Sequence, residues 1–256
     1  MSLILIEQKD GVFTIRFNRT DKKNALTQAM YVDLCAALEQ ARTDPQTRVL
    51  LFAGQPDCFS AGNDMKDFLS VPATSGADYP TVKFMSLLSE FSKPVVAAPC
   101  GIAIGIGVTL LLHCDLVYCG EQTTLNMPFV NIGIRPEFVS SYLLPRIMGH
   151  VRACELVLLG ESFTAQKALE YGLVNALAPN AEVEALAREK ALTIAKLPPH
   201  AVRSTKALLK RWRADVTREA IPLEMGQVAE SLQHPEAMEA ITAFMQKRKP
   251  DFSRFT

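Results

Sequence analysis

Two short glycine-bearing segments constrain this chain of 256 residues more than any other feature. They read Cys58-Phe-Ser-Ala-Gly-Asn-Asp-Met65 and Gly101-Ile-Ala-Ile-Gly-Ile-Gly-Val-Thr109. Each follows an apolar run that predicts a buried strand, at 49–53 for the first and 94–99 for the second, and each leads into a helical pattern. A strand that ends at glycine and opens into a helix leaves backbone N–H groups without intrahelical partners. The pattern therefore predicts α/β structure with free main-chain donors at two loops.

Two such donors that converge from different loops can hold the negative charge that develops on a carbonyl oxygen. Glycine suits this role because the backbone approaches a ligand closely only where no Cβ intervenes. An oxyanion site of this kind favours acyl transfer or enolate chemistry on a thioester as the first functional hypothesis. For either segment taken alone, the alternative is a tight strand-to-helix turn without a ligand.

Composition argues against several other classes of protein. The chain has 27 Lys+Arg and 27 Asp+Glu, so its formal net charge is zero, and we expect no nucleic-acid partner. Its four His and six Cys form no metal-ligand motif, and no metal is expected. The cysteines lie mostly in apolar runs, which is typical of buried, reduced thiols. The sequence shows no run of 18 apolar residues and no targeting motif, so we expect a cytoplasmic protein that does not enter a membrane.

The pattern along the chain divides it into two regions. Strand-then-helix alternation fills residues 1–180, and four helical segments without a strand pattern fill residues 181–256. We expect a core in the first region and a helical domain in the second. The elements predicted for the core include a hairpin around Asp10-Gly11, a helix capped by Thr27, a loop at 70–80, a helix from Gly105 through Leu110 and a strand at 173–178.

The helical region carries several cations on neighbouring turns. They are Lys206, Lys210, Arg211, Arg213 and Arg218. We interpret them as a solvated helix face, with a role in holding an anionic ligand as the alternative.

The two glycine segments resemble the signature segments of the crotonase superfamily, the enoyl-CoA hydratases and isomerases. Three further stretches are similar to that family and follow in the same order, namely Asn18-Arg-Thr-Asp-Lys-Lys-Asn-Ala-Leu26, Phe163-Thr-Ala-Gln-Lys-Ala-Leu-Glu-Tyr-Gly-Leu-Val174 and Phe244-Met-Gln-Lys-Arg-Lys-Pro-Asp-Phe252. The resemblance runs almost from end to end. It implies an α/β fold, a spiral of ββα units with a C-terminal helical region that drives trimerisation. The expected assembly is a homotrimer or a dimer of trimers.

The resemblance also implies an acyl-CoA thioester as substrate, so coenzyme A is part of the substrate and no separate cofactor is expected. The thioester carbonyl would lie between the backbone N–H groups of Asn63 and Ile106. The residues expected to contact the substrate are Ala61, Gly62, Asp64, Met65, Gly105, Lys23 and Phe138. Asp64 is also predicted to cap the helix that follows it, and Lys23 to contact the phosphates of coenzyme A.

The choice of reaction depends on which carboxylates are present. Hydratases of this family use two glutamates, and at the matching positions this chain has Thr109 and Phe129, so neither acid–base group is available there. Glu137 falls where hydratases carry glycine, and where Δ3,Δ2-enoyl-CoA isomerases of the peroxisomal type carry their catalytic glutamate. We therefore favour an isomerase in which this single carboxylate takes a proton from C2 of a 3-enoyl thioester and returns it to C4, through a dienolate.

Two alternatives stay open at the level of sequence. The first retains the oxyanion donors but runs another thioester reaction, such as hydration by a relocated base, hydrolysis or decarboxylation. The second is a CoA-thioester-binding protein with little turnover, since Phe138 stands where the isomerase pattern has glycine and is expected to narrow or reshape the acyl pocket. Glu137 also has an alternative interpretation, as an exposed residue at a helix start where Pro136 precedes it.

Overall fold

The computed structural model describes residues 2–68 and 76–255, with Phe68 described by its backbone alone. The strands are β1 (Ile4–Lys9), β2 (Val12–Phe17), β3 (Val49–Ala53), β4 (Val95–Ala98), β5 (Ile102–Ile104), β6 (Leu116–Gly120), β7 (Thr124–Asn126), β8 (Phe163–Thr164) and β9 (Ala176–Ala178). The helices are α1 (Gln28–Thr43), α2 (Met65–Phe68), α3 (Pro80–Ser89), α4 (Ile106–Thr109), α5 (Ser140–Met148), α6 (His150–Leu159), α7 (Ala165–Glu170), α8 (Val183–Ala195), α9 (Pro199–Arg211), α10 (Ala214–Ser231) and α11 (Pro235–Met245). Of the loop predicted at 70–80, residues 70–75 lie outside the described residues.

The strands form two sheets, and from β4 onward the chain passes between them. One sheet has the order β1-β2-β3-β4-β6-β9 and the other the order β5-β7-β8. In the larger sheet β1 and β2 pair antiparallel, and the remaining neighbours pair parallel. After β4 the chain adds β5 to the smaller sheet, and after β6 it adds β7. From β4 to β9 the chain thus passes back and forth between the two sheets, which is the predicted spiral.

Strand β3 shows why the core has two parts. All five of its residues are buried. Leu50 and Phe52 belong to the cluster that includes α1 and α3, whereas Val49 and Leu51 belong to a second cluster against α8. A parallel strand that is covered on both faces has an uninterrupted apolar sequence, because neither face meets water.

The helical region packs into both parts of this core. Helix α8 covers one face of the larger sheet through Ala187 and Ala191, and α10 contributes Ile221 and Met225 to the other cluster. From α8 onward the described residues contain helices and no strand, as the sequence predicted. The C-terminal helices are therefore part of the hydrophobic core.

Several predicted elements are confirmed, and two differ in extent. The hairpin turns at Asp10 and Gly11, both at positive φ, and the Thr27 side chain accepts a hydrogen bond from the Met30 N–H at the start of α1. The predicted strand at 173–178 is shorter in the structure, where β9 covers Ala176–Ala178 and the Leu173 N–H donates to the Ala168 carbonyl oxygen of α7. The helix after Gly105 is α-helical for one turn and then tightens to a 3-10 turn over Leu110–His113.

Gly101, directly before β5, provides a test of this packing. Its φ is +72°, and a Cβ on it would lie 1.8 Å from the Asp57 carbonyl oxygen, so Gly101→Ala should lower the free energy of unfolding by more than about 2 kcal/mol. Gly226→Ala is the control, since a Cβ there meets open space inside α10, and it should leave stability unchanged or raise it by up to about 1 kcal/mol. Chemical denaturation of both variants measures this. Equal midpoints would contradict the close approach at Gly101.

Candidate active site

The two glycine segments lie side by side in the structure. The Ser60 N–H donates to the Ile102 carbonyl at 3.1 Å, and the Ile104 N–H donates to the Ser60 carbonyl at 2.9 Å, so the first segment pairs with β5. Gly62 has a φ of +89°, and a Cβ on it would lie 2.9 Å from the Ile104 carbonyl oxygen. The absence of a side chain at Gly62 is what lets the two loops meet.

The two predicted oxyanion donors come from these paired loops. Asn63 follows Gly62, and Ile106 begins α4 after Gly105, which has a φ of +54°. Among the described residues, neither the Asn63 N–H nor the Ile106 N–H has a hydrogen-bond acceptor within the protein. Backbone donors that are free and fixed in position are what an oxyanion site requires.

A cavity of about 420 Å³ opens beside these donors. Asn63, Ile106 and Glu137 all line it. The rest of the wall is mostly apolar and consists of Ala61, Gly62, Met65, Ile104, Gly105, Asn126, Pro128, Phe129, Ile132, Ile134 and Phe244. An apolar cavity with a few convergent polar groups is suited to an acyl chain whose reactive end must be oriented.

Glu137 is buried, with 3% of its surface exposed, so it is not the exposed helix-start residue of the alternative interpretation. Burial raises the pKa of its carboxyl group from 4.5 to about 8, because the charged form loses its hydration. A hydrogen bond from the Thr109 hydroxyl to Oε1, at 3.1 Å, acts in the opposite direction, and the nearby carboxylate of Glu224 raises the pKa further. The carboxyl group of Glu137 therefore changes between its protonated and charged forms near neutral pH.

The turn after Glu137 has a strained backbone. Phe138 and Val139 are both in the left-handed region, with φ of +58° and +62°, which is costly for an aromatic and a β-branched residue. The Val139 N–H donates to the buried carboxylate of Glu224 on α10, and His113 Nε2 lies 2.9 Å from the Phe138 carbonyl oxygen. Burial lowers the pKa of His113 to about 3, so its neutral imidazole donates this bond. These contacts hold the turn that presents Glu137 to the cavity.

The structure corrects the expectation for Phe138. Its ring is fully buried and stacks on His113 with 3.9 Å between the ring centroids, and it is not part of the cavity wall. The left-handed backbone directs the side chain into the core, where Phe84 is its other aromatic neighbour. Phe138 therefore does not narrow the acyl pocket.

Two other predicted contact residues lie outside the cavity wall. Asp64 accepts from the Lys66 N–H at 3.0 Å, which confirms its capping role, and it pairs with Arg19 at 2.6 Å. Lys23 has an exposed side chain, and its carbonyl oxygen accepts from the Ala61 N–H at 2.9 Å. Lys23 thus holds the first glycine segment through its main chain, while the contact of its amino group with a coenzyme A phosphate stays a prediction.

Sequence reasoning missed the residues that support the site. The sequence indicated only that Thr109 stands where hydratases carry a glutamate. In the structure its hydroxyl donates a hydrogen bond to Glu137. Tyr31 donates from its hydroxyl to the side-chain oxygen of Asn63. The contacts of Glu224 and His113 could not be predicted from the residues around them, because the turn at Phe138 and Val139 that they bind is distant in sequence.

Comparison with known proteins identifies the class to which this fold and site belong. The family model "Enoyl-CoA hydratase/isomerase" matches residues 7–254, and the chain belongs to this family. "Enoyl-CoA delta isomerase 2" of Rattus norvegicus is 36% identical over 96% of this chain and 64% of its own length, so the chain spans just under two thirds of that protein. The "2,3-dehydroadipyl-CoA hydratase" of Escherichia coli (strain K12) is 31% identical over 98% of this chain and 99% of its own length.

The solved structures agree with the sequence comparison. The structure of Pseudomonas aeruginosa OdaA superposes with a TM-score of 0.92 at 46% identity, covering 96% of this chain and 99% of the other. The predicted family and its α/β spiral fold are thereby confirmed. Within the described residues, no helix is both long and apolar enough to span a membrane, and no cluster of three or more His, Cys, Asp or Glu could hold a metal ion.

The hydrogen bond from Thr109 provides a test of the electrostatics at Glu137. Thr109→Val removes the hydroxyl that favours the carboxylate, so the pKa of Glu137 should rise above its native value of about 8. Thr109→Ser keeps the hydroxyl and should leave the pKa close to the native value. Carbon-13 NMR of the Glu137 carboxyl group, titrated in all three proteins, measures the effect. A pKa that falls or does not move in Thr109→Val would contradict the assigned contact.

Proposed function

We propose that this protein is a Δ3,Δ2-enoyl-CoA isomerase in which Glu137 moves one proton. The observation that supports this best is that Glu137 is the only acidic side chain in the cavity wall among the described residues. Thr109 and Phe129, where hydratases of the family would carry glutamate, supply no carboxylate. One carboxylate is sufficient for a double-bond shift, whereas hydration in this family uses two.

The proposed reaction begins with the thioester carbonyl oxygen at the Asn63 and Ile106 N–H groups and the acyl chain in the apolar cavity. The Glu137 carboxylate takes a proton from C2, and the electron pair of that C–H bond moves into the carbonyl to give a dienolate. The dienolate takes the same proton back at C4, which leaves the double bond between C2 and C3. Removal of one such oxyanion donor typically costs on the order of 10² to 10³ in rate.

The environment of Glu137 suits both halves of this transfer. Thr109 binds Oε1, and no donor among the described residues contacts Oε2, so Oε2 is available for the proton. A pKa of about 8 makes the carboxylate a stronger base than an ordinary glutamate and keeps its acid form able to give the proton back.

The wider setting of the reaction is proposed on the same basis. An acyl-CoA substrate and a trimeric or hexameric assembly are carried over from the family resemblance, while the cytoplasmic location stays an expectation from the sequence. Large exposed apolar side chains, with Val151 on α6 at 80%, Leu209 on α9 at 79% and Trp212 between α9 and α10 at 86% exposure, support association with further copies of the chain.

Conversion of 3-hexenoyl-CoA to 2-hexenoyl-CoA tests the proposal. Glu137→Gln should lower kcat/KM by at least about 10²-fold, because it removes the base and keeps the shape of the side chain. Glu219→Gln is the control, an exposed glutamate on α10 that should leave the rate unchanged. In the native enzyme kcat/KM should rise with pH and level off above about 8, as Glu137 loses its proton.

Three results would count against the isomerase. The first is a Glu137→Gln variant with native isomerisation. The second is a native enzyme that adds water to 2-hexenoyl-CoA and does not shift the double bond, which would favour another thioester reaction. The third is tight binding of both thioesters without turnover, which would indicate a binding protein.

A further inference from the structure

A second cavity, of about 410 Å³, lies apart from the proposed active site. Its wall comes from the end of α3, from α9 and from the start of α10, and it shares no lining residue with the first cavity. Lys206, which lines it, reaches Lys93 and Asp115, and these two residues precede β4 and β6. The second cavity therefore borders the edge of the larger sheet where the parallel strands begin.

This cavity, which we call the basic recess, is lined by an excess of positive charge. Its cationic residues are Arg203, Lys206, Lys210, Arg211, Arg213 and Arg218. Glu90 is the acidic residue in its described lining, and it lies 3.6 Å from Arg218. Asp115 pairs with Lys206 at 2.6 Å. Among the described residues, no carboxylate lies within ion-pair distance of the other four cations, Arg203, Lys210, Arg211 and Arg213.

The excess of positive charge in the recess destabilises the charged form of Lys210. Its ammonium group contacts the His113 carbonyl oxygen at a long 3.5 Å. Burial and the like charge of Lys206, one helical turn away, lower the pKa of Lys210 to about 7. Arg213 is also partly buried, and burial lowers its pKa. Asp115 offsets this in part for both cations, and an anion in the recess would reduce the remaining cost of withdrawing them from water.

We propose that the basic recess binds a small ligand that carries a divalent oxyanion group, a phosphate or a sulfate. Arginine presents its N–H groups as a fork that matches two oxygens of such a group, and lysine adds a point charge. Among the described lining residues, Arg203, Lys210 and Arg213 are the cations with neither a carboxylate within ion-pair distance nor a contact with an aromatic ring, so they provide the main contacts. This site goes beyond the isomerase proposal and does not depend on it.

Titration calorimetry of the full chain with sodium sulfate, pyrophosphate and ADP tests the proposal. Trp212, the only tryptophan, lies between Arg211 and Arg213 and gives an independent fluorescence signal. The double variant Lys210→Gln, Arg213→Gln should bind at least about tenfold more weakly. Lys190→Gln is the control, a half-buried lysine on α8 that lies outside the recess and pairs with Glu189. Tighter binding of ADP than of pyrophosphate would indicate a nucleotide, and the reverse a free phosphate compound.

Sulfate also allows a test with pH, because it keeps its charge of −2 throughout the neutral range. The charged and titratable groups that face Lys210 are Lys206, Arg213, Asp115, Cys114 and His113. Sulfate affinity should fall as the pH rises through about 7 and Lys210 loses its proton, and this dependence should weaken in Lys210→Gln.

Either of two results would overturn the proposal. One is the absence of millimolar or tighter binding of all three compounds to the native chain. The other is binding that the double variant retains at native strength while circular dichroism shows it folded, since the anion would then lie elsewhere. Single variants Lys210→Gln and Arg213→Gln serve if the double variant does not fold.

Discussion

The burial of one carboxylate is the constraint on which the rest of the site depends. Glu137 is removed from water in an apolar wall, so it holds its proton far more tightly than an ordinary glutamate. The protein compensates only in part, with a single hydroxyl from Thr109. A full set of hydrogen-bond donors or a nearby cation would stabilise the charged form of Glu137. Its pKa would then be lower, and the carboxylate would be a weaker base. The sparse environment is therefore what keeps the pKa of this side chain raised.

The loops that face this carboxylate could be predicted from the sequence because their determinants are local. A glycine at the end of an apolar run predicts that the chain turns at that position and that a ligand can approach the backbone there. Gly62 and Gly105 adopt the positive φ values that this interpretation requires. The parallel strands were also predictable, since β3 is apolar at every position.

The position of Glu137 came from a resemblance, and the orientation of its neighbour could not be predicted at all. Phe138 was expected to narrow the pocket, and it lies in the core because two successive left-handed residues reverse its direction. Nothing in the local sequence predicts that conformation, since neither residue is a glycine. Contacts from His113 and Glu224, 25 and 85 residues away from their partners, stabilise it. Such dependencies become visible only when the chain is folded.

The link between Glu224 and the Val139 N–H has a consequence for the synthesis of the protein. Helix α10, which carries Glu224, leaves the ribosome long after both sheets have been made. Until that helix docks, the left-handed turn lacks one of its two anchors, and the backbone is free to relax to a less costly conformation. A nascent chain can therefore pair its two glycine loops before the turn that carries Glu137 is held in place. The position of Glu137 in the cavity is fixed late, at the end of folding.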